Sequence, residues 1–531
     1  MPLDKITFQN SGYFSKLMVD YLNQVDTLKP LYNNFPTLEN FGKQIAEKQN
    51  NFPVANRQVL TKALLQQYTN VSASDKTIAN IQSLANENTF TITTGHQLNL
   101  FTGPLYFLYK IISVINLTEQ LKKEYPQNNF VPIYWMATED HDFEEINHFI
   151  FDEKVICWNK ESKGPVGRLS TEGLDKVFEV FKAHVGVGAN AQKIKDLFES
   201  AYLKHNNLTD ATRYLANELF AAYGLVIVDG DDVELKKLFI PYVEQELLNQ
   251  SAIKEVEKSF PILNDYLIQV NPREINLFYI LDDLRERIVL ENDVYKVNHT
   301  PIQFTKEELL AELYAHPERF SPNVILRPLY QEIILPNLCY IGGGGELAYW
   351  LELKKVFELH QITFPMLLLR NSVLLATQKQ VDKMDKLNLS WSDMFMKQQS
   401  LMEVKTKAFS EIEFNFDQQR QVLIDQFKAL EEIAAKTDKS FIGAVQAQSK
   451  KQLKGLDNLE KRLMKAEKRS HKDQLERIAM LQNELFPNNS LQERIVNFSV
   501  YYKEYGDDLI KALFDKQQPL EQDFDIITLY D

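Results

Sequence analysis

Phe90-Thr91-Ile92-Thr93-Thr94-Gly95 and, further on, Val131-Pro132-Ile133-Tyr134-Trp135-Met136-Ala137 decide the fold. Each is a short β-branched and apolar run closed by a small residue, the pattern of a strand entering a turn. Between them, after Gly103-Pro104, the stretch Leu105 to Lys123 carries Leu108, Ile111, Ile112, Ile115 and Leu117 at helical spacing. Strand, helix, strand is a βαβ unit with, as a rule, a right-handed crossover.

Strands of the same buried type recur at Gly224–Asp229, Asn337–Ile341 and Pro365–Leu369, with helices predicted over 209–222, 231–258 and 346–360. Continuous apolar strands covered by helices predict an α/β core, a parallel sheet buried on both faces, over residues 1–375. Residues 11–87 have helical spacing, as in Val59, Leu60, Ala63 and Leu64. Residues 150–208 and 265–335 hold shorter, more broken elements and are taken as insertions on the sheet.

From about 376 the composition shifts. Proline is absent from 366 to 486, and Gly443 and Gly455 are the only glycines between Gly345 and Gly506. Ile412, Phe416, Leu423, Phe427, Leu430 and Ala434 form one apolar stripe. Leu456, Leu459, Leu463 and Ala466 form another, whose phase slips near Ser470 before Leu475, Ile478 and Leu485 resume it. The polar remaining faces predict an antiparallel coiled-coil arm over 376–486, turning near Lys436 to Ser440, rather than a bundle packed on the core. Pro487-Asn488-Asn489-Ser490 ends it, and the aromatic tail 487–531 is predicted to pack back on the core.

The chain has 531 residues, 44% of them hydrophobic and 25% charged, enough for several domains with a substantial core. A net charge of −14 disfavours nucleic-acid backbones but leaves room for a local seat for a small anion. Met1 to Phe14 lacks a signal-peptide pattern, and no run is apolar enough for a membrane span, so a cytoplasmic protein is expected. Cys157 and Cys339 are too few and too far apart for a disulfide framework or zinc knuckle, and both are read as buried filler.

Three segments look chemical. Thr94-Gly95-His96-Gln97-Leu98-Asn99, continuing through Thr102 and Gly103, follows the first strand, where ligands of parallel sheets bind. His96 could donate to a phosphate or carboxylate, and Gln97 and Asn99 could orient a polar ligand; the plainer account is a surface loop. Glu139-Asp140-His141-Asp142, leading to Asn147, follows the second strand and faces the same crevice. Carboxylates beside an imidazole can orient it for proton transfer or hold Mg²⁺ through oxygen. The plainer account is an acidic helix start, which explains the carboxylates but not His141. Gly342-Gly343-Gly344-Gly345-Glu346 joins a strand to a helix; it permits positive φ and close backbone approach without matching a known phosphate fingerprint. Tyr349, Arg370 as an anion clamp and Lys110 complete the candidates. No histidine or cysteine spacing identifies a metal.

These segments together resemble one family, the bacillithiol-biosynthesis cysteine-adding enzymes. The resemblance runs through Gly95-His96-Gln97, Phe101-Thr102-Gly103-Pro104-Leu105-Tyr106, Lys110, Glu139 through Asn147, and the glycine turn before Glu346 and Tyr349. It implies a Rossmann-like core and a coiled coil supporting a homodimer. It implies, too, that L-cysteine is added to glucosaminyl-malate. The core is also similar to class I aminoacyl-tRNA synthetases, although their second first-loop histidine and Lys-Met-Ser-Lys-Ser motif are missing. Amide formation needs an activated carboxylate, so ATP is expected, by way of an acyl-adenylate or acyl-phosphate. The roles expected are phosphoryl stabilisation for His96, acceptance of the amine proton for His141 positioned by Asp140 or Asp142, and malate or phosphate binding for Arg370. Competing readings are another nucleotidyl-transferring enzyme and a non-catalytic coiled-coil scaffold.

Overall fold

The structure is a computed structural model and describes residues 3–530. The two stretches quoted first are neighbouring parallel strands, β1 (Thr89–His96) and β2 (Asn129–Met136), paired from Thr89 opposite Asn129 to His96 opposite Met136. The helix Tyr106–Glu124 joins them. With β3 (Val226–Asp229), β4 (Asn337–Gly342) and β5 (Met366–Leu369) they form a parallel sheet of order β5-β4-β1-β2-β3. The chain builds outward from β1 through β2 to β3, then returns to set β4 and β5 on the other side. The β1/β4 boundary is therefore the topological switch point, where loops diverge and leave a crevice beyond the strand ends.

Burial holds this arrangement. Phe90, Ile92, Phe130, Leu338, Ile341, Met366 and Leu368 of the sheet share one core with Phe41 and Ile45 of Leu38–Asn51 and with Val114, Leu117 and Leu121 of the crossover helix. Each side chain so buried contributes about 1.5–3 kcal/mol before chain entropy is counted. Cys339 lies inside this core, but Cys157 is exposed at the end of the hairpin strand Lys154–Cys157, contrary to expectation.

The chain divides into two compact units. The first takes in the chain through Gln9, Tyr13–Leu375 and the segment from Leu491 onward; the second is Asn10–Gly12 with Ala376–Ser490. In the first unit, Asp523–Leu529 forms the middle strand of a three-stranded sheet between Leu3–Thr7 and Ser372–Thr377. Among the described residues no helix is long and apolar enough to cross a membrane.

Several elements depart from the sequence reading. The helix expected over 231–258 breaks at Gln250, whose φ is 49°, into Val233–Asn249 and Ser251–Glu257. The one expected over 346–360 is two, Gly344–Trp350 and Lys354–Leu359. The region 265–335 is more regular than predicted. Leu277–Leu281, Leu284–Glu291, Val294–Val297, Gln303–Phe304 and Phe320–Pro322 form a five-stranded antiparallel sheet. Its half-buried strands mix charged with apolar residues, as in Arg285-Glu286-Arg287-Ile288, so they lack the continuous apolar signature of the core.

In the second unit, Asp417–Ala434 and Lys439–Ser470 form an antiparallel hairpin. Arg420 reaches both Asp457 and Glu460 at 2.8 Å, and Ser410 reaches Glu467 at 2.8 Å, fixing the register. The phase slip at Ser470 is a helix end, after which Lys472–Leu485 begins. Ile412 and Phe416 precede the first helix instead of lying in its stripe. Val422, Leu430, Ile433, Phe441 and Leu459 remain exposed, because two helices alone leave one side of their apolar seam open.

Candidate active site

At the switch point three segments are stitched together by one lysine. Lys110, buried on the crossover helix, donates to the Gly95 carbonyl at 2.8 Å and makes a short ion pair with Glu346. Glu346 also accepts from the Tyr340 hydroxyl at 2.8 Å. Burial lowers the Lys110 pKa, an effect Glu346 offsets in part. Burial would raise Glu346, but the lysine outweighs it and keeps the carboxylate charged.

The glycine run serves this contact through space rather than through unusual backbone angles. None of Gly342, Gly343, Gly344 and Gly345 has the positive φ that such a run permits. A Cβ on Gly342 would sit 3.0 Å from the Tyr340 ring and 3.1 Å from the Glu346 Cβ, and one on Gly95 would sit 3.0 Å from the Tyr340 hydroxyl.

His96 closes β1 between the rings of Tyr106 and Phe107, with centroids 5.1 and 5.0 Å away. Burial, then the Lys110 charge, holds its pKa well below the ordinary value despite hydrogen bonding to the Thr102 backbone. The imidazole is therefore neutral, and its Nε2 is buried without a hydrogen-bond partner. A neutral ring in the cleft wall with an unpartnered ring nitrogen suits a proton acceptor better than a cationic phosphate clamp.

The second loop distributes its charges differently from the sequence reading. Glu139 is partly buried and makes a short ion pair with the buried Lys236. Asp140 accepts from the Gln97 side chain at 2.8 Å and from the His141 backbone at 2.8 Å. Burial would raise Asp140, but hydrogen bonds from His141 and Gln97 and the nearby Arg285 charge hold it well below the carboxylate range. His141 is half exposed at the rim, and its Nδ1 accepts from Arg285 at 2.7 Å. The guanidinium thus occupies the ring nitrogen that a proton acceptor would need, which is why the expected role does not fit His141. Asp142 caps the one-turn helix Phe143–Ile146 through the Glu145 N–H, so it follows the plainer account of an acidic helix start.

Between these loops and the antiparallel sheet lies a cleft of about 640 Å³. The expected residues Gly95, His96, Gln97, Lys110, Glu139, Asp140, Glu346 and Tyr349 line it. Thr94, Asn99, Thr102, Gly103, His141, Asp142, Asn147, Gly342 to Gly345 and Arg370 do not. Thr94 bonds across the sheet to the Ile341 carbonyl at 2.7 Å. Asn99 reaches the Glu145 carbonyl at 3.2 Å, and Asn147 pairs with His148 at 3.0 Å. Arg370 is buried against Glu493 at 2.7 Å, so its charge is spent inside the fold and does not serve the expected anion clamp.

Besides Lys110, the cations that line the cleft come from the insertion: Arg273, Arg285, Arg287 and Arg327. Among the described residues no carboxylate lies in salt-bridge range of any of them, and the Nε of Arg285 is buried without a partner. Four guanidinium groups free of direct ion pairs, with Glu139, Asp140 and Glu346 elsewhere in the same cleft, can offer a local seat for an anion in a chain of net charge −14. The sequence carried one signal for it: Arg285 and Arg287, two apart in a strand, share a face. Among the described residues no three His, Cys, Asp or Glu side chains converge to hold a metal ion.

Comparisons with known proteins agree with this organisation. A family model described as the N-terminal Rossmann-like domain of bacillithiol biosynthesis BshC matches residues 1–371, and one described as its C-terminal coiled-coil domain matches 373–529. "Putative cysteine ligase BshC" from Flavobacterium johnsoniae is 62% identical over 529 residues, covering 100% of both chains. Proteins of that name from Cytophaga hutchinsonii and Bacillus cereus are 40% and 29% identical, covering 93% and 97% of this chain and 92% and 98% of their own.

Proposed function

The chain belongs to the BshC family of bacillithiol biosynthesis, and from that premise we propose that it joins the carboxyl group of L-cysteine to the amino group of glucosaminyl-malate at the expense of ATP. The observation that carries the reading is the pairing, in one cleft, of a neutral imidazole with an unpartnered Nε2 and arginines that make no direct ion pair among the described residues. The new bond runs from the sugar nitrogen to the cysteine carbonyl carbon; the bond broken joins that carbon to an oxygen made into a leaving group. ATP supplies that leaving group, which a bare carboxylate lacks.

The residues divide the remaining work. Arg285, Arg287 and Arg273 hold the malate carboxylates, while Arg327, beside Tyr349, faces phosphate oxygens. Arginine forks suit either kind of oxygen, so the donor set fits both substrate and nucleotide. Glu346, fixed by Lys110 and Tyr340, offers a carboxylate to the cysteine ammonium. His96 Nε2 takes the proton released as the sugar nitrogen becomes an amide. Asp140 and His141 hold Gln97 and Arg285 at the rim. Mg²⁺ would ride on the nucleotide phosphates, which requires only one or two protein oxygens. The open seam at Val422, Leu430, Ile433, Phe441 and Leu459 supports a homodimer through the coiled coil, and a cytoplasmic location suits these substrates.

The test is direct. Purified protein with L-cysteine, glucosaminyl-malate and ATP should yield one product with the mass of the amide, and omitting the nucleotide should abolish it. AMP or ADP among the products separates the two forms of activation. His96→Gln should fold normally and stop turnover. Amide formation without nucleotide would refute the ATP requirement, and no amide under any condition would refute the assignment.

A further inference from the structure

The loop between β1 and the crossover helix is strained. Phe101, Thr102 and Gly103 have φ of 47°, 69° and 64°, three consecutive left-handed residues of which two carry side chains. Gly103 has no alternative, since a Cβ there would lie 2.7 Å from the Asn99 Cβ. Such a run persists only where its surroundings over-determine it.

Asn497, fully buried at the start of the helix Phe498–Tyr505, supplies that constraint. Its Nδ2 donates to the Phe101 carbonyl at 2.8 Å and to the Gly103 carbonyl at 2.6 Å. Its Oδ1 accepts from the Ser499 N–H at 3.0 Å and hydroxyl at 2.6 Å, which fixes the orientation of the amide. The two carbonyls it grips flank Thr102, whose backbone is the hydrogen-bond partner of His96. The Tyr202 hydroxyl accepts the Phe101 N–H at 2.8 Å, and the Leu105 N–H bonds to the Val496 carbonyl at 2.8 Å.

We propose that Asn497 is a positioning residue for His96: it holds the strained Phe101–Gly103 loop so that the Thr102 backbone fixes the imidazole and Nε2 stays without a protein partner. The inference rests on the ligase reading only in giving His96 work to do; the placement itself is independent of the reaction. Residues 491–529 thereby act on the cleft without lining it.

The experiment follows the histidine Cε1–H signals of ¹³C-labelled full-length protein by NMR, with His96→Gln identifying the His96 peak. In the unaltered protein that peak should not move between pH 5 and 8. Asn497→Asp preserves shape but turns two donors into an oxygen facing two carbonyls, so the peak should shift and begin to titrate. Ser499→Ala, a gentler change that removes the hydroxyl and leaves only the N–H of residue 499 on the Asn497 Oδ1, should move it the same way by less, and it decides the matter if Asn497→Asp fails to fold. In the ligase assay both variants should lower kcat, Asn497→Asp by about 100-fold, with KM for either substrate changed by about twofold at most. A His96 peak identical in position and pH response in Ser499→Ala and in every Asn497 variant that folds would overturn the proposal. No amide product in the unaltered protein would overturn the ligase reading alone.

Discussion

Removing Glu493 should unfold the first unit far more readily than its place outside the cleft suggests. Its Oε1 accepts from Arg370 at 2.7 Å and from the Ser372 hydroxyl at 3.2 Å, and its Oε2 accepts the Val373 N–H at 3.1 Å. Both charged partners are almost fully buried, Arg370 at 4% and Glu493 at 1% exposure. Glu493→Ala leaves a guanidinium in the interior with no counter-charge, a change that costs about 3–5 kcal/mol. The orphaned Val373 N–H adds about 1–3 kcal/mol where no water replaces the carboxylate. Urea unfolding should be followed by tryptophan fluorescence in a Trp391→Phe background, because Trp135, Trp158 and Trp350 then report on the first unit alone. With a slope of about 4 kcal/mol per M, above the small-protein range as a unit this large requires, the midpoint should fall by roughly 1 M. Arg370→Met with Glu493→Leu should recover most of the loss, since apolar replacement of a whole buried pair is often neutral. A loss under about 1 kcal/mol for Glu493→Ala would refute the structural role, below the range for breaking a buried pair. A selective rise in KM for glucosaminyl-malate in Arg370→Met would return that arginine to ligand binding.

Two further outcomes concern the cleft and a third a buried carboxyl outside its lining. Arg285→Met and Arg327→Met should raise KM about 10- to 100-fold, for glucosaminyl-malate and for ATP respectively, corresponding to roughly 1.4–3 kcal/mol per charge-assisted contact, with melting temperature little changed. Gly342→Ala should cost about 1–3 kcal/mol in urea unfolding and depress turnover, because its Cβ drives into the Tyr340 ring and the Glu346 stem. Burial pushes the Glu352 carboxyl up to about 7 against backbone hydrogen bonds from Gln269 and Val270, so the folded chain keeps this proton at higher pH than the unfolded chain. Its favourable contribution is complete below about 4.5 and fades as pH rises through about 7. Glu352→Gln should therefore melt above the unaltered protein at pH 8 and close to it at pH 5.

Much of the core was legible from period and punctuation. Thr89–His96, Asn129–Met136 and the helix between them are continuous apolar runs with turn residues at their ends, and burial on both faces leaves few other ways to hide them. The strand ends then locate the crevice and eight of its lining residues. The insertion sheet was not legible, because a half-buried strand such as Leu284–Glu291 mixes charges with apolar residues. The four arginines were lost with it. His141 and Arg370 show a second limit, since sequence places a side chain near a strand end but does not reveal which distant charge claims it. Arg285 and Glu493, far away along the chain, decide those two cases.

The last strand in the sequence, Asp523–Leu529, is the middle member of its sheet, and the segment leading to it brings Glu493 to Arg370 and Asn497 to the loop behind His96. During synthesis the whole helical hairpin must leave the ribosome before the seat of the imidazole can close. A nascent chain thus passes through a long interval in which the cleft has walls but no finished floor. Translation that stops anywhere in the hairpin leaves Arg370 without its counter-charge and the Phe101–Gly103 loop without the amide that grips it.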